Sequence, residues 1–190
     1  EEYDFIYTSV GWHPHDAIDC TKEDLSWIKN ITNHPKVVAI GEIGLDYYWD
    51  HSPHDVQQDL FRKQIRIAIE TNLPIIIHDR EAHEDVVHIL EEEGAEKVGG
   101  VMHCFSGDED MMKACLKMNF MIGLGGTVTF KNAHLPKKIA QEVPINSLLI
   151  ETDCPYLAPH PYRGKRNESG YVSLVAQTIA QLRGISLEEL

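Results

Sequence analysis

The sequence predicts an α/β fold with parallel strands, and two observations support this. A unit made of a short apolar strand, a polar loop that carries histidine or an acid, and an amphipathic helix recurs along the chain, with six strands visible. Strands that alternate with helices pair in parallel, and right-handed crossovers bring their C-terminal ends to one side. We expect a single domain over residues 1–190, because 190 residues with 43% hydrophobic and 25% charged side chains are typical of one globular domain.

Local signals mark the first three pairs of strand and helix. Thr21 is suited to cap the first helix, because its hydroxyl can accept a hydrogen bond from an unpaired N–H group of the first turn. Ser52 and Pro53 begin the second helix, since proline lacks an N–H that would be unpaired there, and Gly94 fits the end of the third. The expected strands cover residues 5–10, 37–40 and 74–77, and the second helix has an apolar face made of Leu60, Phe61, Ile65, Ala68 and Ile69.

Three further strands are expected at residues 100–102, 120–124 and 148–150. Asp108 is positioned to cap the helix that follows the first of them. Each strand ends in residues of distinctive chemistry: His103 follows one, Gly125-Gly126-Thr127 another, and Glu151-Thr152-Asp153-Cys154-Pro155 the last.

Two architectures satisfy this pattern, an open doubly wound sheet and a (β/α) barrel. The first gathers ligands at one switch point, whereas the second brings residues from many strand ends to one mouth. Because polar residues follow nearly every strand, we favour the (β/α)8 (TIM) barrel. A closed barrel takes eight strands and about 250 residues, so we expect the chain to lack roughly the first two strands. The start at Glu1 without methionine, and a capping pattern at Ser186 and Glu189 without its helix, lead us to expect truncation at both ends.

Charge and cysteine content limit the possible partners and compartment. Thirty acidic and seventeen basic side chains give a formal charge of -13, which argues against broad binding of a nucleic-acid backbone by a basic surface. Four widely spaced cysteines favour a reducing, cytoplasmic compartment over a disulfide scaffold. No apolar run approaches the roughly 18 residues of a membrane span.

The strongest functional signal is a set of four residues at strand ends. Glu42, His78, His103 and Asp153 are separated by 36, 25 and 50 residues, which match one, one and two strand–helix units. Imidazole nitrogen and carboxylate oxygen together suit Zn, Mn, Co or Mg, and a divalent cation there would activate water for hydrolysis. Glu151 and Asp153 have the same parity in their strand, so alternation does not distinguish them, and nearness to the strand end favours Asp153.

Other residues carry weaker signals. The pair His13 and His15 around Pro14 forms either a solvent loop or a substrate contact, and Arg80 forms either a helix-start salt bridge or a bidentate phosphate contact. Cys104 and Cys154 are expected to pack rather than react. The cluster of Arg163, Lys165 and Arg166 is a solvated loop or a second phosphate contact.

Five stretches of the sequence resemble the TatD family of metal-dependent deoxyribonucleases, within the amidohydrolase-type barrel superfamily. The five stretches appear in family order, as Gly11-Trp12-His13-Pro14-His15, residues 39–48, residues 74–80, residues 102–107 and residues 149–157. Their number and order across nearly the whole chain make the resemblance specific. One departure is that the family opens with a His-x-His pair on its first strand, and no such motif precedes Phe5.

The resemblance implies a role for each candidate. Glu42 would bridge two metal ions, His78 and His103 would be ligands, and Asp153 would be both a ligand and the general base for the attacking water. His13 would lie near the scissile phosphate and Arg80 would contact phosphate. The implied cofactors are two divalent ions, of Mg, Zn or Mn, and the implied activity is cleavage of DNA, for which we expect trimming of a single strand from an end. We expect a monomer, because monomers are common for closed barrels. Two other functions remain open: hydrolysis of amide, lactone or aminoacyl ester bonds, and an inactive fragment or binding remnant.

Overall fold

The computed structural model describes residues 3–190, and within them six strands alternate with six α-helices. In chain order the elements are β1 (Thr8–Val10), α1 (Lys22–Ile31), β2 (Val37–Asp46), α2 (His54–Thr71), β3 (Ile75–Arg80), α3 (His83–Glu93), β4 (Gly100–Met102), α4 (Glu109–Lys117), β5 (Phe120–Leu124), α5 (His134–Glu142), β6 (Leu148–Ile150) and α6 (Val172–Arg183). This alternation confirms the predicted α/β class. Among the described residues, no helix has the length and apolar character to cross a bilayer.

The chain divides into two compact units. The first runs to Met102 and includes Lys117–Phe120, and the second comprises His103–Leu116 and Met121–Leu190. The expectation of a single domain over residues 1–190 therefore stays a prediction.

The first unit is built on parallel strands in chain order, β1 to β4. Ile40, Ile43 and Ile77 are fully buried on these strands, and α2 covers β2 with the predicted apolar face. Leu60, Phe61, Ile65 and Ala68 are buried there, while Ile69 is half-buried. Burying this aliphatic surface is the main favourable contribution to the stability of the unit.

The second unit contains the parallel pair of β5 and β6, in which Ile122 lies opposite Leu148. α5 and α6 pack on each other. The Arg183 guanidinium, in the last turn of α6, donates hydrogen bonds to the carbonyl oxygens of Ala140 and Val143, at 2.7 and 2.9 Å. These bonds satisfy carbonyl groups at the C-terminal end of α5 that have no partner within their own helix.

Most helix boundaries match the sequence predictions. The Thr21 hydroxyl accepts the N–H of Asp24, whose carboxylate accepts the N–H of Thr21, so the cap is a reciprocal capping box. Gly94 ends α3 with a left-handed φ of 70°. Asp108 accepts the N–H groups of Asp110 and Met111 at the start of α4.

Three strands differ from their predicted lengths. β1 begins only at Thr8, and Phe5, which was predicted to open it, is 78% exposed. β2 continues through the stretch expected to be a loop, because its residues pair with β3 as far as Asp46 opposite Arg80. β3 is longer for the same reason and includes His78.

A glycine makes the close pairing of β2 and β3 possible. Gly44 lies opposite His78 with a φ of 147°, and a Cβ added to it would lie 1.9 Å from the His78 carbonyl oxygen. Only a residue without a side chain fits at this position.

Candidate metal centre

The first unit places two carboxylates and a histidine on neighbouring strands. Glu42 and Asp46 lie four residues apart on β2, so their side chains point to the same face, and His78 lies between them on β3. His78 Nδ1 is 2.7 Å from Glu42 Oε1, and His78 Nε2 is 2.9 Å from Asp46 Oδ2. The imidazole is thus held at both of its nitrogens by carboxylates.

Asp46 is the buried anchor of this cluster. Its side chain is 1% exposed, and its Oδ1 accepts the N–H groups of Tyr48 and Trp49 at 3.1 and 2.9 Å. Its Oδ2 contacts His78 and also His15 Nε2, at 2.8 Å. Burial raises the pKa of Asp46, but the hydrogen bonds from Trp49, His15 and His78 outweigh burial and lower it to about 2. Asp46 is therefore ionised at neutral pH and accepts a hydrogen bond from each histidine.

His13 and His15 reach the cluster from the turn that follows β1. The His13 ring packs edge-on against the rings of His15 and His78, with centroids 4.4 and 4.6 Å away, and its Nε2 is 4.0 Å from Glu42 Oε1. Ring nitrogens of His13, His15 and His78 all lie within 4.8 Å of one another. Burial and the neighbouring His78 lower the pKa of His13 to about 4, so His13 is neutral near pH 7.

The second unit holds a cluster around His103. His103 Nδ1 is 2.6 Å from Glu151 Oε2, and the Cys104 N–H donates to Glu151 Oε1 at 2.5 Å. On the other side of the ring, His103 Nε2 is 3.5 Å from Asp153 Oδ1. Gly123 leaves space for the Glu151 carboxylate, since a Cβ there would lie 3.0 Å from it.

The carboxylates around His103 stabilise positive charge in this second cluster. Burial lowers the pKa of His103, but hydrogen bonding to Asp153, Cys104 and Glu151 outweighs burial and raises it far above its ordinary value. Burial raises the pKa of the Cys104 thiol to about 12, so this cysteine is protonated at neutral pH. This agrees with the expectation that Cys104 packs rather than reacts.

The donor atoms of both clusters fit a divalent cation. Burial lowers the pKa of His78, but hydrogen bonding to Glu42 and Asp46 outweighs burial and raises it, so this position stabilises positive charge. A divalent cation supplies such charge, and His78 Nδ1 and Glu42 Oε1, which lie 2.7 Å apart, would be its donors. Each nitrogen of His103 likewise lies beside a carboxylate, Nδ1 beside Glu151 and Nε2 beside Asp153, and a bound cation would take the place of the proton on Nε2. A carboxylate that orients a histidine so that the other nitrogen can bind metal is a common arrangement around Zn and related ions.

The structure groups the predicted site residues within the two units. Glu42, His78 and His13 come together in the first unit, and His103 and Asp153 come together in the second. Arg80 lies at the end of β3, where its guanidinium stacks on the Tyr48 ring rather than joining the histidines. Arg163, from the basic cluster, stacks on Phe130.

Sequence reasoning missed Asp46 and did not recognise that Glu151 orients a histidine. Asp46 has the same strand parity as Glu42 and would have been recognised if β2 had been predicted to extend past Ile40. Glu151 was weighed against Asp153 as an alternative, whereas both contact His103, on different nitrogens.

Comparison with known proteins identifies the family. The family model described as TatD related DNase matches residues 1–190. The protein named uncharacterized metal-dependent hydrolase YabD, from Bacillus subtilis (strain 168), is 62% identical over 190 residues, which are 100% of this chain and 74% of that protein. The protein named 3'-5' ssDNA/RNA exonuclease TatD, from Pantoea vagans (strain C9-1), is 37% identical and is matched over 98% of this chain and 74% of its own length.

Solved structures give the fold. The crystal structure of YJJV, a TatD homologue from Escherichia coli K12, superimposes with a TM-score of 0.91 at 30% identity, covering 98% of this chain and 73% of the other. An uncharacterized amidohydrolase from Saccharomyces cerevisiae has a TM-score of 0.81 at 19% identity over 96% of this chain and 76% of its own, which bears on the fold alone. The six parallel strands and these neighbours confirm an α/β barrel of the TIM type that lacks some strands. The chain therefore belongs to the TatD family of metal-dependent hydrolases.

Proposed function

We propose that this chain is a deoxyribonuclease that binds two divalent ions and hydrolyses phosphodiester bonds from an end of single-stranded DNA. The observation that carries the proposal is that one ring nitrogen of each histidine lies beside a carboxylate oxygen, His78 Nδ1 beside Glu42 and His103 Nε2 beside Asp153. The name of the Pantoea relative, which specifies single-stranded DNA and RNA, supports the choice of substrate.

Each residue has a defined part in this proposal. Glu42 and His78 would hold one cation, His103 and Asp153 would hold the other, and the bridging role of Glu42 stays a prediction. When bound, the cations supply Lewis acidity and lower the pKa of water. The Asp153 carboxylate would accept the proton from the attacking water. His13 is neutral and partly exposed, which suits it to donate a hydrogen bond to a phosphate oxygen.

Compartment and assembly are also proposals. Within the described residues none of the four cysteines forms a disulfide bond, which is compatible with a reducing cytoplasm. We further propose that the protein acts as a monomer on its DNA substrate.

Digestion of an end-labelled single-stranded oligonucleotide tests the proposal. The purified protein, loaded with Mg, Mn or Zn, is expected to shorten the labelled strand one nucleotide at a time, and a chelator is expected to stop it. An ester and amide library assayed beside the oligonucleotide provides the contrast. Turnover of the library with no DNA cleavage would replace the nuclease proposal with carbonyl hydrolysis.

A further inference from the structure

We propose that Tyr48, Trp49 and Arg80 form a subsite that stacks an unpaired nucleobase and holds its adjoining phosphate. The inference rests on the proposed function, since it names the substrate group that the chain recognises beside the first cation cluster. We call these three residues the aromatic platform.

The platform presents aromatic surface to solvent at the end of two strands. Tyr48 and Trp49 are 51% and 52% exposed, with their rings perpendicular and 5.0 Å apart between centroids. Neighbouring large aromatic side chains that stay in water give up the free energy of burial, and such surface commonly marks a binding site. The exposed rings thus provide a face on which a planar ligand can stack.

Arg80 gives the platform a positive charge. Its guanidinium carbon lies 4.2 Å from the centroid of the Tyr48 ring and 5.6 Å from that of Trp49, within the range of a cation–π contact. The contact engages the guanidinium with a ring and not with a carboxylate, and its N–H groups can donate bidentate hydrogen bonds to phosphate oxygens. In a chain with a net charge of -13, this local cation is what a nucleic-acid backbone requires.

The platform is attached to the cation cluster through its own backbone. The N–H groups of Tyr48 and Trp49 both bind Asp46 Oδ1, while Oδ2 of the same carboxylate contacts His15 and His78. His51 continues the ring surface, because it lies parallel to Trp49 and its centroid is 4.8 Å from that of His15. These contacts fix the position of the Tyr48 and Trp49 rings relative to the histidines of the site.

The combination of features points to a nucleobase rather than to another ligand. Every base has a flat π-face that stacks on indole or phenol, and an adjoining phosphate accepts hydrogen bonds from guanidinium. Such stacking needs an unpaired base, so the platform would select single strands or frayed ends. Stacking is tolerant of base identity, so little sequence preference is expected.

Binding of fluorescein-labelled oligothymidine in the presence of chelator tests the platform without any turnover. Trp49→Ala is expected to raise the Kd by at least about fivefold, which is the lower end for loss of one stacked base. Trp49→Phe, which keeps an aromatic face, should stay near the wild-type Kd and guards against a general folding defect. Trp27→Ala is the matched control, because Trp27 is 59% exposed but lies on α1 rather than at a strand end.

A second oligonucleotide, made of abasic tetrahydrofuran units, separates stacking from phosphate binding. The wild type should bind it at least about fivefold more weakly than oligothymidine, and Trp49→Ala should show little further difference between the two. If Trp49→Ala binds oligothymidine as tightly as the wild type, or still discriminates fully against the abasic strand, the platform is not a base subsite. Failure of the metal-loaded enzyme to cleave DNA, with these binding differences intact, would overturn the proposed function while the subsite stands.

Discussion

At the scale of single residues, the imidazole ring of each site histidine is oriented by a carboxylate that was not among the predicted metal ligands. Asp46 accepts a hydrogen bond from His78 Nε2, and Glu151 accepts one from His103 Nδ1. A histidine binds metal in its neutral form, which has one donor and one acceptor nitrogen, so a ring that keeps these bonds would offer its second nitrogen to a cation. The two carboxylates therefore decide which nitrogen can bind a cation.

Replacing Asp153 with Asn is expected to preserve the fold and lower DNA hydrolysis to less than about a tenth of the wild-type rate. The amide keeps the size of the carboxylate but is a poor acceptor for the proton of the attacking water. Single-turnover assays of the metal-loaded protein measure the effect, with circular dichroism as the test of folding. Asp110→Asn, at a side chain that is 91% exposed, is the matched control. Retention of more than a tenth of the rate would remove Asp153 from the base role.

Replacing Glu151 with Gln tests its positioning role through metal affinity. The neutral amide weakens the hold on His103 Nδ1, and loss of such a partner typically weakens metal binding by about 10- to 100-fold. Competition with a chromogenic chelator measures the affinity, and Glu168→Gln, at an exposed loop position, should leave it unchanged. A variant that binds metal as tightly as the wild type would show that Glu151 only packs against Cys104.

At the scale of elements, the β2–β3 pair determines the first cluster, and Gly44 sets how closely the two strands approach. Replacing Gly44 with Ala is expected to lower the free energy of unfolding by about 3 kcal/mol or more, because the new Cβ meets the His78 carbonyl and the φ of 147° is unfavourable. Urea denaturation measures the loss. Gly170→Ala, where a Cβ meets nothing within 4 Å, should change the free energy by no more than about 0.5 kcal/mol. Equal effects of the two substitutions would contradict this account.

Helices α2 and α3 are joined by an ion-pair network whose contribution depends on pH. Arg62 and Arg66 both donate to Glu93, and hydrogen bonding to Arg66 is the main reason that the pKa of Glu93 lies below its ordinary value of 4.5. A lowered carboxyl pKa stabilises the folded state above the ordinary pKa, and this stability is lost as the pH falls through the lowered value. The free energy of unfolding of Glu93→Gln should therefore be lower than that of the wild type at pH 7, and the difference between them should shrink below pH 4.5. A constant difference from pH 7 to pH 3 would mean that packing, not charge, is responsible.

Sequence reasoning located elements better than it located their ends. β4, β5 and β6 were predicted with the observed bounds, since glycine or polar residues border each short apolar run. The extent of β2 was missed, because Gly41 and Glu42 resemble a loop until the partner strand is known. Asp46 was not recognised for the same reason, because alternation of side chains can be applied only to residues that are predicted to lie in a strand. Which of Glu151 and Asp153 contacts His103 likewise depends on where His103 lies in three dimensions, and no sequence pattern predicts that position.

At the scale of the whole molecule, each compact unit contains a histidine flanked by two carboxylates, one of which orients the ring. Asp46 serves the first unit and Glu151 the second. Metal analysis of the protein is therefore expected to give two divalent ions per chain, and Glu42→Gln to remove at least one of them. Metal binding to the folded state also raises Tm by mass action, so a chelator should lower the Tm of the wild type more than that of Glu42→Gln. Unchanged metal content in Glu42→Gln would exclude this carboxylate as a ligand.

The absence of a side chain at Gly44 has a consequence for redesign of this enzyme. The α-carbon of Gly44 lies against the backbone of His78. The distances from the imidazole to Glu42 and Asp46 are therefore set by the separation of the two main chains. The site cannot be adapted to a larger or smaller ion by moving the His78 backbone, because the two strands would have to separate. Metal preference in this scaffold should instead be tuned by exchanging one donor type for another, such as carboxylate for imidazole, at positions already fixed in space.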